Sequence, residues 1–211
     1  MRTFAGPRSR RAHTGVWRLL PALLLLDAGC QRHGPDDRAA IAALMRQRTE
    51  KDAEMRAESG PLLPEQRLRF QGLAYYPPRL DLIFEVTLEP TARPDTVRFV
   101  TSQNTFDRFV RLGVFRFQAG GDRTLTLFQS VDNGGLFLPF TDLTSGDTTY
   151  GAGRYLNPEP LGNGRYRLDF NRAYNPYCAY NERWICPVPP PENHLEVRIE
   201  AGERNFPYKA G

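Results

Sequence analysis

No feature of this chain narrows its architecture more than the change of hydrophobic period at Gly72. Past that residue, Leu80, Leu82, Phe84, Val86 and Leu88 interleave with Asp81, Ile83, Glu85 and Thr87. Successive side chains of a strand point to opposite faces, so this alternation describes a strand with one dominant buried side. Residues 97–101, 109–117 and 124–129 continue the theme, and Ala119-Gly120-Gly121-Asp122 joins the last two as a hairpin turn. Residues 136–140, 166–170 and 195–199 supply three more strands. Many short strands with almost no helix among them limit their exposed edges by closing up or by stacking in two layers. The expected fold is mainly β, a single domain built as a partly open or split β-barrel, with a β-sandwich as the alternative.

Ahead of Gly72 the pattern is helical. Asp36-Asp37 cap a helix over residues 36–59, ended by Ser59-Gly60-Pro61, whose Ile41, Leu44, Met45 and Met55 make only a thin apolar stripe. A helix of this kind lies across a larger body and is expected to pack on the β domain. A short second helix over residues 64–70 has Pro64 in its first turn and Gly72 just beyond its end.

The first 29 residues read as an export signal. Arg2, Arg8, Arg10, Arg11 and Arg18 precede an apolar stretch from Leu19 to Leu26 and then small residues. That stretch is far shorter than the roughly 20 residues a membrane-spanning helix needs. Ala28-Gly29-Cys30 resembles the processing site of bacterial lipoproteins, with Asp27 in place of the usual aliphatic residue; Cys30 is the expected lipidation site. Gln31 in second position resembles outer-membrane sorting. The expected organisation is a signal at 1–29, a tether at 30–35, the helix at 36–59 and a β-rich domain at 60–211. The location is extracytoplasmic, at the cell envelope, with the membrane as partner through the lipid.

Removing the signal takes away five Arg and one Asp, which leaves 23 basic and 23 acidic residues out of 28 and 24. The positive charge thus belongs to the leader, and nucleic acid is not an expected partner.

Two blocks carry the remaining information: FTDLTSGDTTYGAGRYL at 140–156 and DFNRAYNPYCAYNERWICPVPPPENHLEVRIEAGE at 169–203. Together they resemble the bacterial family catalogued as domain of unknown function 1684, over about residues 37–204. The resemblance implies no established activity. Both blocks are expected to pack against each other and build one working face.

Within that face Cys178 and Cys186 form a C-x7-C pair in an exported chain. A disulfide, a metal site completed by His194, and two free thiols are the readings; structural zinc sites usually place ligands in closer C-x2-4-C pairs. Asp142 and Glu192 are the acid–base candidates of an enzyme reading, a hydrolase or isomerase in which Arg154 or Arg172 holds an anionic group. The competing reading pairs those arginines with acids as loop-holding networks. Ser145 in Thr-Ser-Gly reads as a turn, and Gly151-Ala152-Gly153 as a place where the backbone bends. Tyr150, Tyr174 and Tyr180, with Asn171, Arg172, Asn175 and Arg154, are candidate ligand contacts, since rings with amide and hydroxyl groups at their rim suit a small amphipathic molecule, a sugar or a peptide. No cofactor is expected.

Overall fold

The computed structural model describes residues 35–208, together with Met1 and Thr3. Apart from those two residues the expected signal segment, with Cys30 and Gln31, lies outside the described residues. The chain divides into two units, Met1–Arg32 and His33–Gly211, and the second contains every element below. Among the described residues no helix is long and apolar enough to cross a membrane.

Among the described residues the α-helices are α1 (Pro35–Arg56) and α2 (Pro64–Arg69). Pro64 opens α2, and Gln66 reaches back to accept from the Leu63 N–H at 2.8 Å, which satisfies one of the donors a helix start leaves free. Ten strands follow among the described residues: β1 (Ile83–Thr87), β2 (Glu89–Pro90), β3 (Thr96–Val100), β4 (Phe106–Gln118), β5 (Asp122–Ser130), β6 (Leu136–Asp142), β7 (Arg154–Leu156), β8 (Glu159–Gly162), β9 (Arg165–Asp169) and β10 (His194–Leu195).

They form two open sheets and no closed barrel. One is three-stranded, in the order β1-β9-β8; the other runs β10-β6-β5-β4-β2, with β3 also on β4 and β7 also on β6. All pairings are antiparallel except the short one between β10 and β6. The β4–β5 hairpin turns where the sequence predicts, through Gly120 and Gly121 at φ of 60° and 122°. One core joins the sheets: Leu82, Val86, Leu168 and Phe170 meet Phe115, Phe117, Leu125, Leu127, Leu138 and Phe140. Phe84 from β1 lies 5.0 Å from the Phe117 ring of β4. The alternation at 80–88 thus marks the core face correctly, although residues 80–82 form a 3-10 turn and pairing starts at Ile83.

The strand expected over residues 195–199 is a correction. Only His194 and Leu195 pair with β6. Beyond them one backbone bond follows, from the Leu143 N–H to the Val197 carbonyl at 3.1 Å, and then side chains take over: the Ile199 N–H donates to the Asp142 carboxylate at 2.7 Å and the Ile199 carbonyl accepts from Arg154 at 2.9 Å. Backbone groups held by side chains need no neighbouring strand.

Helix α1 packs on this body through a second cluster, in which Met55 meets Leu62, Phe70, Tyr180 and Phe206. Its buried stripe differs from the expected one. Leu44, Arg48 and Met55 are buried, and Met45 is exposed.

Candidate functional site

Asp169 begins the construction of the site. At the end of β9 its carboxylate accepts from the Asn171 N–H at 3.0 Å, closing the 3-10 turn Phe170–Arg172. The Asn171 amide clamps Arg79 from both sides, accepting from its N–H at 2.6 Å and donating to its carbonyl at 2.8 Å. The next residues pair with β7, where Tyr155 and Tyr174 exchange backbone hydrogen bonds at 2.9 and 3.0 Å. The last described segment then packs on the turn. Gly202, at φ 76°, is obligatory there, because a Cβ would stand 2.5 Å from the Ala173 carbonyl oxygen.

The loop that follows is pinned at several points. The Trp184 indole N–H and the Asn181 amide both donate to the Pro61 carbonyl, the Val188 N–H donates to Val100 at 2.8 Å, and the Tyr155 hydroxyl donates to the Pro187 carbonyl at 2.5 Å. The two family-like blocks therefore do pack on each other, as the sequence predicts.

Between this loop and α1 lies a cleft of about 710 Å3. Leu44, Gln47, Arg48 and Lys51 line it from α1; Tyr75, Tyr155, Tyr174, Tyr177 and Trp184 supply rings, and Asn157, Asn171, Arg172 and Glu203 supply polar groups. Tyr174 meets Tyr155 edge-on at 5.8 Å, and Tyr177 meets Trp184 at 5.0 Å. Burial raises the pKa of the Tyr75 and Tyr155 hydroxyls strongly and pushes Tyr174 up to about 12, so all three stay neutral donors at physiological pH.

Glu203 is 1% exposed and fully engaged: it accepts from Lys51, from the Tyr180 hydroxyl at 2.5 Å and from the Asn175 N–H at 2.9 Å. Arg48 is the contrast. It is 8% exposed, its Nη1 donates to the Tyr76 carbonyl at 3.0 Å, and its plane stacks on the Tyr75 ring at 4.3 Å. Its Nε and Nη2, both buried, have no hydrogen-bond partner among the described residues. An unsatisfied buried donor costs about 1–3 kcal/mol, and more on a charged group.

Of the ligand candidates, Asn171, Arg172 and Tyr174 line the cleft. Tyr150 and Tyr180 line a neighbouring cavity of about 370 Å3 with Cys178. Asn175 and Arg154 are buried and line neither. Arg154, at 0% exposure, donates to the carbonyls of Ala201 at 2.5 Å, Glu203 at 3.2 Å and Ile199 at 2.9 Å, and to Asp142 at 3.3 Å.

The two acid–base candidates sit in different surroundings. Asp142 is 2% exposed and consumed by Arg154, the Thr144 hydroxyl and the Ile199 N–H, whereas Glu192 is exposed on a pair with Arg111 at 3.1 Å. Neither carboxyl lines either of the two cavities described, and Asp142 and Arg154 hold each other and the segment at 199–203. Ser145 closes the turn after β6, its hydroxyl accepting from the Asp142 N–H at 3.1 Å. Gly153 lets β7 close on β6, since a Cβ would sit 2.5 Å from the Phe140 carbonyl oxygen.

Cys178 and Cys186 are neighbouring free thiols, the Cys178 N–H donating to Cys186 Sγ at 3.1 Å. Among the described residues no group of three or more His, Cys, Asp and Glu is placed to hold a metal ion, and His194 is exposed and bonded to Thr141 at 2.9 Å. Hydrogen bonding from Cys186 first, and from Tyr150 after the opposing effect of burial, lowers the Cys178 thiol to about 7. Cys186, as donor to Cys178, is pushed up.

Arg48, Lys51, Tyr75, Tyr155, Trp184 and Glu203 are contributors that reasoning from sequence did not single out. The signal for two of them was present: Arg48 and Lys51 occupy the gap in the helical stripe from Leu44 to Met55.

These features define a mainly β domain with a helix docked across an aromatic, cation-bearing cleft. Residues 68–204 match the family described as Protein of unknown function (DUF1684), and the chain belongs to that family. The match starts within α2, later than the start near residue 37 expected from the sequence, so α1 with Arg48 and Lys51 precedes it. The chain is also similar to an uncharacterized protein of Haloarcula marismortui solved in solution by NMR, at 37% identity and a TM-score of 0.63, over 80% of this chain and 96% of that one. No curated protein matches.

Proposed function

We propose that this protein is a non-catalytic binding module, tethered at the extracytoplasmic face of a membrane by lipid on Cys30, whose cleft holds a small amphipathic molecule, a sugar or a peptide. The cleft carries the reading. Its size falls in the usual range for small-molecule sites, and its lining combines several rings with a few polar groups. Three of the candidates chosen from sequence, Asn171, Arg172 and Tyr174, meet in it.

The envelope address rests on the leader and on Cys30-Gln31, with the outer membrane favoured in a two-membrane bacterium. An oxidising compartment there lets the adjacent Cys178 and Cys186 close a disulfide. The protein is tested as purified from membranes in its native host. Palmitate labelling is expected, and lost in Cys30→Ser. Native mass spectrometry is expected to show a small organic adduct that Tyr174→Ala together with Trp184→Ala removes. A bare, unlabelled protein with an unmodified Cys30 would sink both halves of the proposal.

A further inference from the structure

The cations of the cleft are not equivalent. Lys51 is paired with Glu203, and Arg172 lies 3.4 Å from Asp169 and 4.0 Å from Glu159. Arg48 has no carboxylate partner among the described residues, although it is the most buried of the three. The Tyr75 ring covers its flat face and the Tyr76 carbonyl takes Nη1. What remains is the edge formed by Nε and Nη2, two roughly parallel N–H groups spaced to meet the two oxygens of a carboxylate.

The same chain shows what that edge does when a carboxylate is supplied. At the surface, Arg79 Nε and Nη2 hold the two oxygens of Asp81 at 2.8 and 2.7 Å. In the wall of the cleft the corresponding edge of Arg48 has no acceptor among the described residues and is shielded from bulk water. A negative charge suits the site as well: Lys51 is matched by Glu203 and Arg172 by Asp169, which leaves Arg48 as the lining cation with no ion pair among the described residues.

Resting on the binding reading above, we propose that the ligand is an aromatic carboxylate. Its carboxylate seats on the Nε–Nη2 edge of Arg48, which binding draws from the wall into the cleft. Its ring lies among Tyr155, Tyr174 and Trp184, where flat faces stack and cross edge to face. A site built around an ionic fork discriminates strongly against a neutral ligand of the same shape, since the buried cation is then left unpaired.

The test uses the full chain carrying Trp17→Phe, so that Trp184 at the cleft is the sole indole reporter. Its fluorescence is titrated with cinnamate, with the isosteric neutral cinnamamide and with inorganic phosphate. Saturable binding of cinnamate is expected, at least about tenfold tighter than cinnamamide, with phosphate weaker than both. Arg48→Gln should remove that preference, cinnamate falling to the affinity of cinnamamide. If that variant does not melt cooperatively, Arg48→Lys, which keeps the charge and loses the planar fork, should weaken cinnamate alone. Equal affinity for cinnamate and cinnamamide, or indifference to Arg48, overturns the carboxylate assignment and leaves the cleft as an apolar binding site. Phosphate binding as tightly as cinnamate overturns it in favour of an inorganic-anion site. No saturation by any of the three overturns the binding reading as well.

Discussion

Arg154 shows at single-residue scale how a chemically suggestive side chain becomes structural. Its guanidinium caps three carbonyls of one extended segment and neutralises Asp142. Removing one partner of a buried pair leaves the other charge without compensation, which typically costs about 3–5 kcal/mol. Arg154→Met is expected to lose that much in urea unfolding, and Asp142→Asn added to it should recover part of the loss; a cost below about 1 kcal/mol would refute the structural role. The residue types were legible in the sequence, but their role was not, because the carbonyls at 199, 201 and 203 approach only through tertiary folding. Cys178 makes a second case. In reduced protein its alkylation should rise with a midpoint near pH 7, with Cys186 reacting only at higher pH, and Tyr150→Phe should move the Cys178 midpoint upward. A thiol pKa depressed by folding favours the native state above the unfolded thiol's value of about 8.5, an advantage lost as pH falls through about 7. Reduced protein should thus gain stability across that interval. Equal alkylation profiles for the two thiols would count against the hydrogen bonding described.

At the scale of elements, the strands were readable and the working helix was not. Alternation marked the core faces of β1, β4, β5, β6 and β9 because each has one side in the shared core. It overextended the strand at 195–199, where buried alternation continues through Ile199 but Asp142 and Arg154 take the backbone bonds. In α1 the search for apolar spacing passed over the cations that fill the stripe. This helix has little apolar anchorage of its own, chiefly Leu44 and Met55, and leans on the Lys51–Glu203 pair and on Arg48. Elements with few buried apolar contacts open first. Amide exchange of α1 should therefore be faster than that of β4–β6, and Lys51→Met should speed it by about tenfold, close to 1.4 kcal/mol of local stability. Unchanged exchange in that variant would show that apolar packing alone holds the helix.

At the scale of the whole molecule, segments far apart in sequence converge on the cleft: α1, the turn after β9, the Cys loop and Glu203 near the end. A mainly β fold could be inferred from period alone. How the strands divide between two open sheets could not, since that depends on which edges meet, and the cleft likewise exists only once the first helix lies against the last segment. Chain cut after Arg198 removes every carbonyl that Arg154 caps, together with Glu203 and Phe206. Such a chain should be digested by protease under conditions in which the full chain survives, and resistance would contradict the closing role given to residues 199–206.

That dependence on the last stretch has a consequence for how the protein is made. Arg154 and Asp142 leave the ribosome while their remaining partners are still untranslated, and synthesis adds about 5–20 residues per second. Through that interval the nascent chain carries a charge pair whose native enclosure does not yet exist. Enclosure of that pair is thereby deferred until residues 199–203 have been made. A polypeptide whose buried ion pair sets only once so distant a segment emerges stays loose around β6 and β7 through that interval.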